Sequence, residues 1–113
     1  MKGTHLGEFE EIVLLVVAAL EANAYGLAIK KELEEQTQRK ISISAVHTAC
    51  NRLEEKGFLN SKFGEKSQQR GGKRKKIYSV SLLGQQALYN AHELRRRLWG
   101  RISNSSFEIE FNW

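Results

Sequence analysis

The chain has 113 residues, 41% hydrophobic and 27% charged, which is the size and composition of one ordinary globular domain. Its longest apolar stretch, Ile12–Leu20, has about half of the roughly 20 residues that a membrane-spanning helix needs, so a bilayer-spanning role is excluded. The single cysteine, Cys50, excludes an internal disulfide and a cysteine-rich zinc finger, and no signal peptide is visible, so a cytoplasmic location is expected.

The first two predicted elements are helices. Residues 8–22 begin with acidic residues, which suit the positive end of a helix dipole, and continue into the apolar run Ile12–Leu20. A helix that is apolar on most of its circumference needs cover on more than one side, and part of that cover is expected from a second subunit. Tyr25, Ile29 and Leu33 then recur every fourth residue, which predicts an amphipathic second helix.

A third helix is predicted from Ser42 or Ser44, either of which is a good N-cap, to a stop at Gly57. Val46, Cys50 and Leu53 form its apolar stripe with Gly57, so Cys50 is interpreted as a small buried hydrophobe rather than a redox sensor. The polar residues of this segment lie off the stripe and are expected to face solvent.

Beyond Gly57 the pattern changes to that of a β-hairpin, with apolar residues in Phe58–Phe63 and Ile77–Val80 and a long loop from Glu65 to Arg74. Seven basic residues against one acid give residues 62–76 a charge of +6, while the rest of the chain sums to −1. Such a localised basic segment predicts contact with a polyanion.

A fourth helix is predicted from Leu82 to about Trp99. Its apolar residues follow nearly the spacing of a coiled-coil seam: Leu83, Ala87, Ala91, Leu94 and Leu98. The seam and the first helix carry more apolar surface than one small domain readily buries, so a homodimer is predicted, with Trp99 also at the interface. The tail alternates apolar and polar residues from Phe107 to Trp113, which favours a short half-buried strand.

This order of elements predicts a mainly α fold with a small β-hairpin (α+β): a winged helix-turn-helix followed by a C-terminal dimerisation helix. The predicted divisions are a DNA-binding domain at 1–81, the dimerisation helix at 82–102 and the tail at 103–113. In such a fold the third helix enters the major groove of double-stranded DNA, and the hairpin, or wing, reaches phosphates or the minor groove.

The residue types at these positions suit DNA. Asn51 can pair bidentately with adenine, and Arg52 with guanine or a phosphate. Ser44, Thr48 and His47 can donate to backbone oxygens or base acceptors, and paired glycines at the wing tip let main-chain amides approach a sugar-phosphate chain. The complete predicted interface is Ser44, Ala45, His47, Thr48, Asn51 and Arg52 of the third helix with Lys62, Arg70, Gly71, Gly72, Lys73, Arg74, Lys75 and Tyr78 of the hairpin.

The same segments carry a family resemblance: the chain resembles the short PadR-like transcriptional regulators from Gly7 to about Trp99. The matching segments are Gly7–Glu10, Ala24–Ile29, Ala45–Gly57, Arg70–Arg74 and Tyr78–Gly84. The resemblance implies a homodimeric repressor whose C-terminal helix packs against the partner subunit. Where the family commonly has tyrosine, this chain has His47, so the contact chemistry there is expected to differ and to respond to pH. Some relatives bind planar aromatic molecules between subunits, which makes a small aromatic effector the alternative role for Trp99.

Other classes of function find less support in the sequence. It has no glycine-rich phosphate loop, nucleophile elbow, paired metal-ligand spacing or plausible Ser-His-Asp set, so no enzyme, metal site or cofactor is expected. Two non-enzymatic alternatives stay open. One is a winged-helix module that binds protein, and the other is an architectural protein that binds DNA regardless of sequence.

Overall fold

The computed structural model describes residues 5–66 and 74–103. The elements are α1 (Glu8–Leu20), a 3₁₀ turn (Glu21–Asn23), α2 (Gly26–Thr37), α3 (Ile43–Glu55), β1 (Leu59–Lys66), β2 (Arg74–Val80) and α4 (Leu82–Arg101). Four helices and an antiparallel two-stranded hairpin confirm the predicted α+β winged helix-turn-helix. In the described part of the chain no helix combines the length and apolarity that crossing a membrane requires.

The hydrophobic core lies where the first three helices meet the base of the hairpin. α1 buries Val13, Leu14, Val16 and Val17, but Leu15 stays about half exposed. The chain itself therefore covers only part of this helix, as its apolar circumference predicted. The other buried side chains come from α2, α3 and the hairpin: Ile29, Leu33, Val46, Ala49, Cys50, Leu53, Phe58, Leu59 and Tyr78.

Two local predictions need correction. Tyr25 is not part of the second helix: it is the extended residue before α2 and forms an antiparallel bridge with Ile77, while the amide of Tyr78 donates to the Ala24 carbonyl at 2.8 Å. The hairpin loop is also shorter than predicted, because β1 extends to Lys66 and β2 starts at Arg74. Between Phe63 and Lys66, β1 has one residue more than β2, which is a β-bulge.

The start of α4 is fixed against the turn that follows α3. Ser81 caps α4 by accepting a hydrogen bond from the Gly84 amide at 3.0 Å, and its hydroxyl donates to the Gly57 carbonyl at 2.6 Å. Gly84 is buried so close to this turn that a Cβ there would overlap the Phe58 carbonyl oxygen and lie 2.8 Å from Cγ1 of Val80. Only glycine fits without a shift of backbone.

We expect Gly84→Ala to lower the free energy of unfolding by about 1–3 kcal/mol, because the added methyl group must displace the Phe58 main chain. Gly100→Ala is the matched control in the same helix, since nothing lies within 4 Å of its Cβ position. The control should leave stability unchanged or raise it by up to about 1 kcal/mol through helix propensity. Urea denaturation of both variants measures the difference, and equal effects would contradict the close packing.

Candidate nucleic-acid interface

One side of α3 is exposed along the length of the helix. The other side buries Val46, Cys50 and Leu53, as predicted, together with Ala49. Six side chains on this side are exposed, at intervals of three and four residues. Five of them form one surface, the α3 face: Ser44, His47, Thr48, Asn51 and Arg52. The remaining one, Glu55, follows on the same side in the last turn. Five of the six contacts predicted on this helix thus come together in solvent, and the sixth, Ala45, is half-buried on the flank.

Glu34 holds the turn that sets α3 against α2. Its carboxylate accepts a hydrogen bond from the Ile41 amide at 3.0 Å and pairs with Lys30 at 3.0 Å. The bond from Ile41, followed by that from Lys30, keeps the pKa of Glu34 below its ordinary value of 4.5. α3 then begins directly after Ser42, whose hydroxyl accepts from the Ala45 amide at 3.1 Å. Of the two candidate N-caps, the structure therefore uses Ser42.

The start of α2 lies beside the α3 face. Nε2 of His47 is 3.0 Å from the position that a Cβ on Gly26 would occupy, so the imidazole packs over the first residue of the helix. A larger residue than glycine at this position would displace the ring. His47 remains exposed and continues the α3 face toward the first turn of α2.

The two sides of the hairpin face different surroundings. Residues paired across antiparallel strands point to the same side, and side chains alternate along each strand. Tyr78 is buried in the core, so its partner Ser61 and the next pair on that side, Phe63 with Lys76, belong to the inner side. Lys62, with its partner Ile77, belongs to the outer side, as does Lys75. The exposed Lys62 is thus present at the surface but does not point toward α3.

Glu54 joins the last turn of α3 to both strands of the hairpin. Its carboxylate accepts a hydrogen bond from the Ser61 hydroxyl in β1 at 2.6 Å and pairs with the Lys76 ammonium of β2 at 3.1 Å. Burial raises the pKa of Glu54, but the bonds from Ser61 and Lys76 outweigh it and leave the pKa below its ordinary value. Lys76 thus already has a carboxylate partner.

The basic end of β2 reaches the start of α2. The Lys75 ammonium lies 4.0 Å from the centre of the Tyr25 ring, a cation–π contact that holds this charge close to the helix N-terminus. Arg74, the first residue of β2, is exposed. The predicted contacts Lys75 and Arg74 are therefore both available at the surface.

On the opposite flank of α3 lies an open groove of about 460 Å³ between this helix and the start of α1. Gly7 and Phe9 line one wall, and Ser44, Thr48 and Arg52 line the other. The α3 face is thus bordered by the groove on one flank and by the start of α2 and the hairpin on the other.

One predicted DNA contact does not lie at the surface. Tyr78 is 4% exposed, and burial raises the pKa of its hydroxyl to about 12. Its ring belongs to the core, because inner-side residues at the base of the hairpin pack against the helices. The prediction that Tyr78 contacts DNA is therefore wrong. The predicted contacts Arg70, Gly71, Gly72 and Lys73 lie outside the described residues.

The buried position of Cys50 confirms its structural interpretation. The side chain is fully buried, and burial, with a smaller contribution from the neighbouring Glu54 charge, raises the pKa of the thiol to about 12. The group therefore stays protonated near neutral pH, where redox-sensing cysteines need a thiolate.

α4 exposes most of the apolar surface that the sequence assigned to a dimer. Leu83, Leu94, Leu98 and Trp99 are each slightly more than half exposed, whereas Ala87 and Ala91 are half-buried. Ala87 packs against the core of its own chain. The predicted seam therefore runs along the border between the part of α4 that contacts the domain and the part that faces solvent. The predicted strand at the tail lies outside the described residues.

Two residues of this surface were missed by sequence reasoning. Glu54 had no signal, because its partners Ser61 and Lys76 are seven and 22 residues away in the chain. Tyr25 was interpreted through its helical spacing with Ile29, and its contact with Lys75 depends on a bridge between distant segments. A single β-bridge beside a hairpin involves too few residues to leave a recognisable hydrophobic pattern in the sequence.

Comparison with known proteins identifies the family. The Transcriptional regulator PadR-like family matches residues 13–90, which is more than half of the chain. No curated protein matches the sequence.

Solved structures share the fold. A PadR-like transcription factor from Bacteroides fragilis superposes with a TM-score of 0.69 at 18% identity, covering 81% of this chain and 84% of that one. A PadR family transcription regulator from Clostridium difficile R20291 gives a TM-score of 0.66 at 21% identity, with 83% and 93% covered. RosR of H. salinarum gives 0.67 at 24% identity, with 88% and 82% covered.

The lowered pKa of Glu34 leads to a prediction about acid stability. A carboxylate whose folded pKa is below its unfolded value stabilises the protein fully above the unfolded pKa, near 4.5, and loses this effect as the pH falls through the folded pKa. Wild type should thus exceed Glu34→Gln in stability at about pH 6, and the difference should shrink toward about pH 3.

The control is Glu35→Gln, an exposed neighbour whose side chain makes no hydrogen bond or ion pair to any described residue. Chemical denaturation across this pH range measures the effect. A difference between wild type and Glu34→Gln that stays constant with pH would contradict the role assigned to the Glu34 carboxylate.

Proposed function

The chain belongs to the PadR-like family of transcriptional regulators, and we propose that it acts as a homodimeric repressor that binds an inverted-repeat operator. DNA-binding regulation of transcription follows from the family. The observation that carries the finer proposal is the α3 face: five polar or charged side chains on the exposed side of one helix, with exposed basic residues of the hairpin beside the start of α2. For a regulator of this kind we propose a cytoplasmic location and no enzymatic activity.

Sequence would be read by α3 in the major groove. Asn51 lies centrally on the α3 face and can donate to and accept from one adenine, and Arg52 can make two hydrogen bonds to a guanine or hold a phosphate at the groove beside α1. Ser44 and Thr48 are short donors at the start of the same face, suited to phosphate oxygens. His47, packed over Gly26, lies where the start of α2 would approach the sugar-phosphate backbone of the DNA.

Phosphate contacts would be made chiefly by the hairpin. Lys75 is held near the start of α2, where the positive helix end adds to its charge, and Arg74 is exposed next to it. Arg70 and Lys73 join the proposal on their charge, and Gly71 and Gly72 on their position in the chain between them. Lys62 is on the same outer side as Lys75 but on β1, the strand that Tyr25 does not bridge, so we assign it at most a contribution to the general electrostatic attraction.

A second copy of the chain is the proposed cover for α4. The exposed apolar side chains Leu83, Leu94, Leu98 and Trp99 lie on one helix with few charged residues between them on that side, and α1 adds Leu15. Arg95 fixes α4 on α1 through two hydrogen bonds to Glu11, at 2.8 and 3.3 Å. Residues 82–102 would then act as the dimerisation helix of the domain formed by 1–81. A two-fold dimer places two α3 helices on DNA half-sites about 34–36 Å apart.

The decisive experiment selects bound sequences from random duplex DNA at two salt concentrations. We expect enrichment of an inverted repeat and weaker binding at the higher salt. Salt-sensitive binding without enrichment would replace this proposal by an architectural DNA binder. No binding at low salt would replace it by a protein-interaction module. Adding planar aromatic compounds to the bound complex tests whether Trp99 serves an effector.

Asn51→Ala should relax the selected preference at one position of each half-site, at a cost of about 1–3 kcal/mol against the preferred base, because one bidentate contact is lost. Asn60→Ala, an exposed asparagine in β1 on the outer side of the hairpin, is the matched control and should leave the preference unchanged. The same selection measures both, and an unaltered motif for Asn51→Ala would remove Asn51 from direct readout.

Leu94→Glu should weaken self-association by at least about 100-fold, because pairing would bury an uncompensated carboxylate in the seam. Tyr89→Glu introduces the same charge at an exposed apolar position of α4 away from the seam and should leave the dimer intact. Sedimentation velocity over a range of concentrations distinguishes the species. A Leu94→Glu protein that sediments as a dimer would exclude this seam.

A further inference from the structure

Glu54 is an acidic residue beside a surface proposed to bind DNA, which is itself negatively charged. It is on the last turn of α3, beside the α3 face, and its side chain is 27% exposed, so a carboxylate stands near the path proposed for DNA phosphates. An acidic group here weakens electrostatic attraction. Unlike the exposed Glu55 that follows it, Glu54 has contacts that offset this cost with a structural role.

The contacts of Glu54 fix the hairpin rather than the helix. One carboxylate oxygen binds the Ser61 hydroxyl of β1 and the other binds the Lys76 ammonium of β2, so one side chain of α3 holds both strands on their inner side. Lys76 also lies 5.5 Å from the centre of the Tyr78 ring, which is anchored in the core. With two points of attachment on adjacent strands, the hairpin has a defined angle relative to α3.

The same contacts occupy a cation that would otherwise reach DNA. Lys76 is 39% exposed and lies on the side of the hairpin that faces α3, which is a suitable position for a phosphate contact. Paired with Glu54, it contributes little net charge. The pair thus removes one positive charge that would attract any DNA sequence. In return it fixes the orientation of the hairpin relative to α3.

We propose that Glu54 is a positioning residue for sequence discrimination: through Ser61 and Lys76 it sets the wing against the α3 face and keeps Lys76 from binding phosphate. This inference rests on the proposed DNA-binding function. Its consequence is unusual for an acidic residue near DNA, because removing the charge should strengthen binding to any DNA while it reduces preference for the operator.

The test compares Glu54→Gln, Lys76→Gln and wild type on the selected operator and on a scrambled duplex, across a series of salt concentrations. Glu54→Gln should lower the ratio of operator to scrambled affinity about threefold or more and steepen the salt slope on scrambled DNA by about 0.9, since Lys76 gains a phosphate. Lys76→Gln should lower the ratio similarly with an unchanged slope. Glu35→Gln removes the same charge from an exposed side chain of α2, outside the α3 face, where no hydrogen bond or ion pair joins the side chain to any described residue, and should keep the wild-type ratio.

The possible results distinguish a positioning role of Glu54 from its alternatives. If Glu54→Gln matches Glu35→Gln in both ratio and slope, the positioning role is wrong. If Lys76→Gln makes the slope shallower by about 0.9, Lys76 binds phosphate in the wild type and the proposal is again overturned. A wild-type ratio near one would refute the proposed function itself, and this inference with it. Thermal unfolding verifies each fold, and should Glu54→Gln be unfolded, the ratio and slope of Lys76→Gln decide.

Discussion

Val46, Cys50 and Leu53 attach α3 to the domain by burying one side of it against α1 and α2, and every other feature of the interface depends on this attachment. A helix with one buried side must expose the opposite side, since side chains three and four residues apart share a face. Burial of this side of α3 therefore holds the helix in place and leaves the α3 face exposed. The Glu34 bond to the Ile41 amide and the Ser42 cap then fix where that face begins.

The hairpin buries Leu59 and Tyr78 in the core that it shares with the helices, and three further attachments fix its orientation. The base is tied through the Tyr25–Ile77 bridge, the inner side through Glu54, and the end of β2 through the turn that Ser81 and Gly84 bind. These are directional polar contacts and one close approach of backbone, which specify angles better than apolar burial does. A wing so attached can place charge at a defined position.

α4 has a different balance of forces. Its start is fixed by Gly84 and its second half is joined to α1 by the ion pair between Arg95 and Glu11, but Leu94, Leu98 and Trp99 remain exposed on a helix about 30 Å long. Exposed apolar groups in one continuous strip favour association, because water is released when they are covered. The chain thus combines a packed winged helix-turn-helix with a last helix whose exposed apolar surface is suited to a partner.

The sequence by itself determined the fold class, the four helices and the polar face of α3, because hydrophobic periodicity is a local property that survives folding. It also determined where the positive charge is concentrated. Tertiary structure alone decided which polar residues meet. Glu54 found Ser61 and Lys76, Tyr25 became a bridge residue beneath Lys75, and Tyr78, with a side chain that suits either core or surface, turned inward. Such contacts join residues distant in the chain, so their geometry depends on how the elements pack, which no local pattern encodes.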